Sequence, residues 1–269
     1  MPTILGIPLD VNSSYLRGPA RAPARIREAF RCDASNGWSE SAVDVTSADA
    51  LVDAGDLNLV NSKEKVGEDF AEIEHAVGTL LNKDKGQPIL LGGDHSITYP
   101  ILKAFAPQYP ALTIVHFDAH SDLYNEFEGS RMSHACPFAR IMENRLVRRL
   151  VQIGIRTLNR HQQEQAEKFE VEIVQMRDLP AYNRLQVRGP VYISFDMDVL
   201  DPAFVPGISH REPGGMTVRE AIAHLHAIEG TIVGADIVEY NPAQDIAGMT
   251  GTVAAKILKE ILGKMIARS

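Results

Sequence analysis

Residues 112–122 read Leu112-Thr113-Ile114-Val115-His116-Phe117-Asp118-Ala119-His120-Ser121-Asp122. A short, nearly unbroken run of apolar and β-branched residues stops abruptly at alternating Asp and His. Such a run predicts a strand buried on both faces, as in a parallel sheet covered by helices. The same pattern recurs at 3–7, 88–91, 150–153, 171–174, 191–195 and 231–237. Helix-like stretches lie between these runs, among them 65–81, 162–169 and 218–228. Strands alternating with helices predict an α/β fold whose mainly parallel sheet is layered between helices. No linker, repeat or low-complexity segment interrupts the pattern, so residues 1–269 are expected to form one domain. Residues 33–53 have the weakest periodicity and are expected to be loop.

Composition narrows the function. The chain has 269 residues, 45% of them hydrophobic, enough for a sizeable core. A formal net charge of −8 argues against a nucleic-acid partner, which needs clustered Lys and Arg, and it favours a cationic substrate. No apolar run approaches the roughly 20 residues of a membrane span. Two cysteines, Cys32 and Cys136, give no disulfide framework and suit a reducing compartment. The N-terminus lacks a basic region ahead of an apolar stretch. These features together predict a cytoplasmic protein with no membrane partner.

In open α/β sheets, ligands bind beyond the carboxyl ends of the strands. Three of those ends are chemically loaded: Gly92-Gly93-Asp94-His95-Ser96, Asp118-Ala119-His120-Ser121-Asp122, and Asp196-Met197-Asp198. Side chains two apart in extended backbone point the same way, so Asp118, His120 and Asp122 converge, as do Asp196 and Asp198. Carboxylates gathered at the end of a buried sheet must take up protons or bind a metal. Alone, each segment is as well read as a turn or a helix N-cap. Together, with His95 and His120, they form a six-residue ligand set. That is too many for one structural zinc and suits two metals about 3.5–4 Å apart. An oxygen-rich set with a minority of nitrogen favours Mn²⁺ over Zn²⁺.

These three segments resemble the ureohydrolase family of arginases, agmatinases and formiminoglutamases, and the likeness runs over nearly the whole chain. Within it, Asn12-Ser13-Ser14, Arg17-Gly18-Pro19, Phe127-Glu128-Gly129, Ser133-His134-Ala135 and Glu212-Pro213-Gly214-Gly215 look most like the plant-type arginases. The resemblance implies an α/β/α sandwich around an eight-stranded sheet, two Mn²⁺ per subunit, a small guanidino substrate and a homo-oligomer, trimer or hexamer. It implies one metal held by His95, Asp118, Asp122 and Asp196, and the other by Asp118, His120, Asp196 and Asp198.

Two further residues carry over. His134 resembles the family's proton-shuttling histidine, although Ala135 stands where animal arginases and agmatinases have glycine. Glu239, in Val238-Glu239-Tyr240-Asn241-Pro242, resembles the glutamate that grips the guanidinium. A planar guanidinium pairs well with a carboxylate. Alone, Glu239 is equally a strand-end ion pair and His134 a loop histidine bonded to backbone. The expected reaction releases urea, with Glu239 orienting the substrate, Asp122 bonding the attacking oxygen and His134 protonating the leaving amine.

The substrate's other end is less determined. Tyr124, Ser130 and Met132 stand where animal-type arginases place Asn, Ser and Asn, and Thr157-Leu158-Asn159 replaces an aspartate-bearing segment. Asn12, Ser130 and Asn159 are the expected contacts, with L-arginine ahead of agmatine. A single-zinc deacetylase-like enzyme and an inactive binding homologue are the rival classes, and the complete ligand set disfavours both. His75, His161 and His210 read as solvated or locally bonded, and Cys136 reads as a packing residue.

Overall fold

A computed structural model of the chain describes residues 1–47, 50–83, 86–181 and 187–267. The strands are β1 (Pro2–Gly6), β2 (Val52–Asp56), β3 (Gln87–Leu91), β4 (Thr113–Phe117), β5 (Arg149–Ile155), β6 (Glu172–Gln175), β7 (Pro190–Asp196) and β8 (Thr231–Val238). They form one eight-stranded sheet in the order β2-β1-β3-β8-β7-β4-β5-β6. Every neighbouring pair is parallel. The helices are α1 (Ala22–Phe30), α2 (Val66–Asn82), α3 (Thr98–Phe105), α4 (Pro137–Glu143), α5 (Arg160–Lys168), α6 (Val218–Ala227) and α7 (Met249–Ile266).

The sheet divides two cores, and the period-two pattern of the strands decides which residue enters which. Val115, Phe117, Ile193 and Phe195 pack with Ile26 of α1, Ile222 of α6 and Leu258 of α7. Ile114, Leu150 and Tyr192 face the other way, onto Phe70 of α2, Phe105 of α3 and Phe138 of α4. This three-layer sandwich is what near-continuous apolar strands require. Among the described residues no helix is long and apolar enough to cross a membrane.

β2 departs from the sequence pattern. Its residues, Val-Asp-Ala-Gly-Asp, are largely exposed, and it pairs only with β1 at the sheet's edge. An edge strand needs no buried face, so it carries no apolar signature. The preceding irregular stretch, apart from residues 48 and 49 outside the described set, is pinned to α7. Lys259 donates to Ser35 Oγ at 2.6 Å, and the Glu40 N–H donates to Glu260.

Register places the loaded ends side by side. Leu91, Ile237, Phe195 and Phe117 are aligned across β3, β8, β7 and β4, so Asp196 and Asp118 emerge together one residue later. Two residues before them lies a polar row, Asp236, Ser194, His116 and Gln152, running across four adjacent strands.

Candidate metal centre and substrate cavity

His95 begins a short 3-10 helix just beyond β3. Asp94 caps it, accepting from the Ser96 N–H at 3.0 Å and, through Oδ2, from the Asn12 N–H at 2.9 Å. Gly93 permits this approach: a Cβ there would lie 1.7 Å from the Leu9 carbonyl oxygen. The His95 ring is fully buried, and its Nε2 meets Ser194 Oγ at 2.9 Å. Ser194 in turn donates to Asp236 Oδ1 at 2.7 Å, while Thr98 and Tyr192 donate to Asp236 Oδ2 at 2.9 and 2.8 Å. This buried chain fixes the ring and leaves Nδ1 as its remaining nitrogen.

That nitrogen is the most informative atom of the site. Asp196 Oδ2 lies 3.1 Å away, and Asp118 Oδ2 and Asp122 Oδ2 each lie 3.2 Å away. Yet Nδ1 is buried with no hydrogen bond of acceptable geometry. Three carboxylate oxygens and an orphaned imidazole nitrogen around one point describe the donor shell of a cation better than a set of hydrogen bonds. Beside it, His120 Nδ1 lies 2.9 Å from Asp198 Oδ2 and 3.4 Å from Asp118 Oδ1. Asp118, His120 and Asp198 could hold one ion between them. The six residues expected from the strand ends are thus brought together as two adjoining groups that share Asp118.

The electrostatics agree. Burial, reinforced by the Asp198 and Asp118 charges, pushes Asp196 well above the ordinary carboxylate range, and Asp198 is raised as well. Burial opposes charge on His95, but the Asp118, Asp122 and Asp196 carboxylates hold its imidazole well above its usual value. Without a cation this end of the sheet must store protons to remain buried. Divalent ions remove that need, so the donor set fits a metal. His116 lies in the same cluster but is already engaged at both nitrogens. Gln152 Nε2 donates to Nδ1 at 3.0 Å, and Nε2 meets Asp118 Oδ2 at 2.7 Å. The His116 donor atoms also lie close to those of His95 and Asp118, but the two contacts leave it no free nitrogen and steady Asp118. The polar row below the ligands was overlooked in the sequence, although a single polar residue inside each apolar strand was its signal.

Glu239 and His134 form a pair at the cavity wall. His134 Nδ1 donates to Glu239 Oε1 at 2.8 Å, and the His95 N–H donates to the same oxygen at 2.9 Å. Burial works against charge on His134, but Glu239, with Asp94 and Asp122 nearby, raises its pKa to about 9. The Ser14 N–H, 3.2 Å from Nε2, opposes protonation there, while Ser14 Oγ lies 2.8 Å from the same nitrogen. Asp122 and Glu239 both sit in the left-handed region, with φ of 48° and 63°. Non-glycine residues there are held against a steric penalty of about 1–3 kcal/mol, a recurrent property of functional positions.

A cavity of about 170 Å³ opens onto these groups. His120, Asp122, His134, Asp196, Asp198 and Glu239 line it, with Ser14, Tyr124, Phe127, Thr157, Gln162 and His210. The residues expected at the far end of the substrate lie elsewhere. Asn12 donates to Ser96 Oγ at 2.8 Å and lines a neighbouring depression with Ser130. Asn159 caps α5 and donates to the Tyr124 hydroxyl at 2.5 Å. His210 is part-exposed and stands beside the site residues, a position that the sequence reading did not assign to it. Its ring stands 5.2 Å from His134 and 5.8 Å from His120, with Tyr15 outside it at 5.9 Å. It lies in an aperiodic loop after β7, where no sequence pattern marks it. Cys136 is buried, and its thiol is pushed by burial to about 12, as suits a packing residue.

Comparison with known proteins agrees with this geometry. The profile of the arginase family matches residues 2–263. "Arginase 1, mitochondrial" of Arabidopsis thaliana is 43% identical over 98% of this chain and 80% of its own length. "Arginase 1, mitochondrial" of Oryza sativa subsp. indica is 42% identical over 97% of this chain and 81% of its own. The solved arginase from Medicago truncatula superposes with a TM-score of 0.92 at 40% identity, covering 98% of this chain and 87% of that one. The names of the first two overturn the expectation of a cytoplasmic protein, since both relatives are mitochondrial. By fold, by the matched profile and by identity over nearly its full length, the chain belongs to the arginase family.

Proposed function

We propose that this protein is a binuclear manganese arginase that hydrolyses L-arginine to L-ornithine and urea. The observation that carries the reading is the buried, unbonded Nδ1 of His95 among three carboxylate oxygens, beside a Glu239–His134 pair on one cavity. His95, Asp118, Asp122 and Asp196 would hold one Mn²⁺, and Asp118, His120, Asp196 and Asp198 the other. Bound Mn²⁺ supplies the Lewis acidity that makes water nucleophilic near neutral pH.

The chain's own residues do the rest. Glu239 accepts the guanidinium. Its Oε1 is already fixed by His95 and His134, so the carboxylate is oriented before the substrate arrives. His134 holds a proton on Nδ1 against Glu239 and delivers it to the departing amine as the C–N bond breaks. Asp122 hydrogen-bonds the attacking oxygen. Water and the guanidinium become urea and a protonated amine, with no other reactant. The family likeness also suggests a homo-oligomer, a trimer or hexamer.

The test is urea release from the Mn²⁺-loaded protein given arginine or agmatine, with metal content measured alongside. Arginine should be the better substrate. No urea from either compound at full metal occupancy would sink the reading. Agmatine in the lead would make the chain an agmatinase.

A further inference from the structure

His134 keeps its two ring nitrogens in different company. Nδ1 carries the proton held by Glu239, while Nε2 accepts from the Ser14 N–H at 3.2 Å and has Ser14 Oγ 2.8 Å away. A ring with one proton cannot release it from Nδ1 and take nothing in its place, because the imidazolate left behind is too basic to form near neutral pH. A second proton must reach Nε2 before the first departs, or as it departs. The backbone N–H cannot supply it. A hydroxyl can, since it donates to a bare Nε2 and accepts from a protonated one.

Ser14 is also where two spaces meet. It lines the catalytic cavity and the neighbouring depression, which has a volume of about 140 Å³. Phe127 lines both as well, but its ring carries no exchangeable proton. Ser13, Lys63, Ser130 and Ser133 give the depression a polar wall. Ser13 Oγ is buried there without a hydrogen-bond partner in the protein. Ser130 Oγ accepts from the Met132 N–H at 3.2 Å, which leaves its own hydrogen to give. A polar space of this size takes several waters, and hydroxyls left open by the protein are the groups that order them. The partition between the two spaces is firmly held. The His134 N–H donates to the Asn12 carbonyl at 3.2 Å, and the Asn12 N–H donates to Asp94 Oδ2 at 2.9 Å. Substrate or its products fill the catalytic cavity while the proton moves, whereas the depression stays open to water.

We infer that Ser14 relays protons between His134 and solvent, and that solvent is reached through the side depression and not through the catalytic cavity. The inference rests on the ureohydrolase reading and adds a residue and a route to it. As the C–N bond breaks, Nδ1 gives its proton to the amine nitrogen. Ser14 Oγ gives its own proton to Nε2 and takes one from hydronium or a buffer acid in the depression. Ser14 is neutral before and after, and His134 is left neutral with its proton on Nε2. When the next attacking water yields a proton to Nδ1, the Nε2 proton returns through Oγ to solvent. One proton enters and one leaves in each turnover, so the overall reaction is unchanged.

Ser14→Ala keeps the backbone N–H on Nε2 and removes only the relay. At low buffer concentration, kcat of the Mn²⁺-loaded variant with arginine should fall at least about tenfold, with KM within about twofold of wild type and both ions retained. Small buffer acids such as imidazolium should restore the rate as their concentration rises, whereas wild-type kcat should ignore them. Ser14→Thr keeps a hydroxyl and should respond to buffer as wild type does. Adding Ser14→Ala to His134→Asn should cost nothing further, because the relay acts only through the ring. Ser130→Phe fills the depression and leaves Ser14 in place. It should lower kcat by a smaller factor, and it decides the matter if Ser14→Ala loses its cooperative melting transition. A kcat unmoved by Ser14→Ala, a loss that no buffer repairs, or the full loss repeated in the double variant overturns the relay alone. Absence of urea from the wild-type enzyme overturns the ureohydrolase reading beneath it.

Discussion

Two groups of buried charge lie in this molecule, and they are completed differently. On α7, Glu260 is fully buried and accepts from Lys256 at 2.6 Å, His226 at 2.8 Å and the Glu40 N–H at 3.1 Å. Its neighbours are matched too: Lys259 donates to Ser35 Oγ and the Asn36 carbonyl, and Lys264 to the His226 carbonyl. At the strand ends, Asp118, Asp122, Asp196 and Asp198 face three imidazoles, those of His95, His116 and His120, and a buried nitrogen among them goes unbonded. One fold therefore holds a buried carboxylate answered entirely by protein and a set of carboxylates that the protein answers only in part. Since an unmatched buried charge is expensive, the deficit marks where something other than protein completes the structure.

Four substitutions probe that contrast. Asp196→Ala has the largest effect, because it removes a ligand assigned to both ions. Metal affinity should fall beyond the roughly 10–100-fold typical of an outer-sphere partner, and urea release should fall with it. The metal-free variant should melt no lower than metal-free wild type, since one of several crowded carboxylates is gone. Elemental analysis and calorimetry of both forms check this, and a variant with normal metal content would refute the assignment. His134→Asn comes next: kcat should drop about 10²–10⁴-fold while both ions stay bound, as for a lost general acid. Loss of metal here would make His134 structural.

Glu260→Leu tests the closed cluster. Lys256, His226 and the Glu40 N–H all lose their acceptor, so unfolding in urea should show a loss of about 2–3 kcal/mol. Urea production per folded molecule should stay within about twofold of wild type. A stable but inactive variant would mean that the two clusters are coupled. The smallest effect belongs to the rim. Arg219, and behind it Lys256, hold the Glu40 carboxyl down to about 2 from an ordinary 4.5. A depressed carboxylate stabilises the fold above its unfolded pKa, and that contribution is lost as pH falls from 4.5 towards 2. Solvent screens this pair, so Arg219→Ala should lower stability only slightly at neutral pH. The gap from wild type should close on acidification, and a gap that widened would place the stabilisation elsewhere.

The sequence discloses these regions unequally. The ligand residues are legible because each interrupts an apolar run at its carboxyl end, where the fold class already directs attention. His116, Ser194, Asp236 and Gln152 are not legible in the same way. Each is a lone polar residue inside an apolar strand, and only inter-strand register turns them into a row. β2 escapes notice because an edge strand buries no face. His210 and Gln162 reach the cavity through a loop and a helix start whose positions depend on tertiary packing. Asn12, Ser130 and Asn159 have the residue types a carboxylate calls for, but local bonds occupy Asn12 and Asn159, and Ser130 lines the depression next door.

At Asp122 the backbone, with φ of 48°, already adopts a conformation in which asparagine is at home. A single base change converts an aspartate codon into an asparagine codon, and the exchange removes a negative charge from a crowded site without altering side-chain shape. A gene copy released from selection could take that step and still encode a folded, long-lived protein that makes no urea. Silent descendants of such an enzyme would keep its sheet, its cavity and most of its identity. Bound metal per chain, measured directly, would tell the working lineage from the retired one.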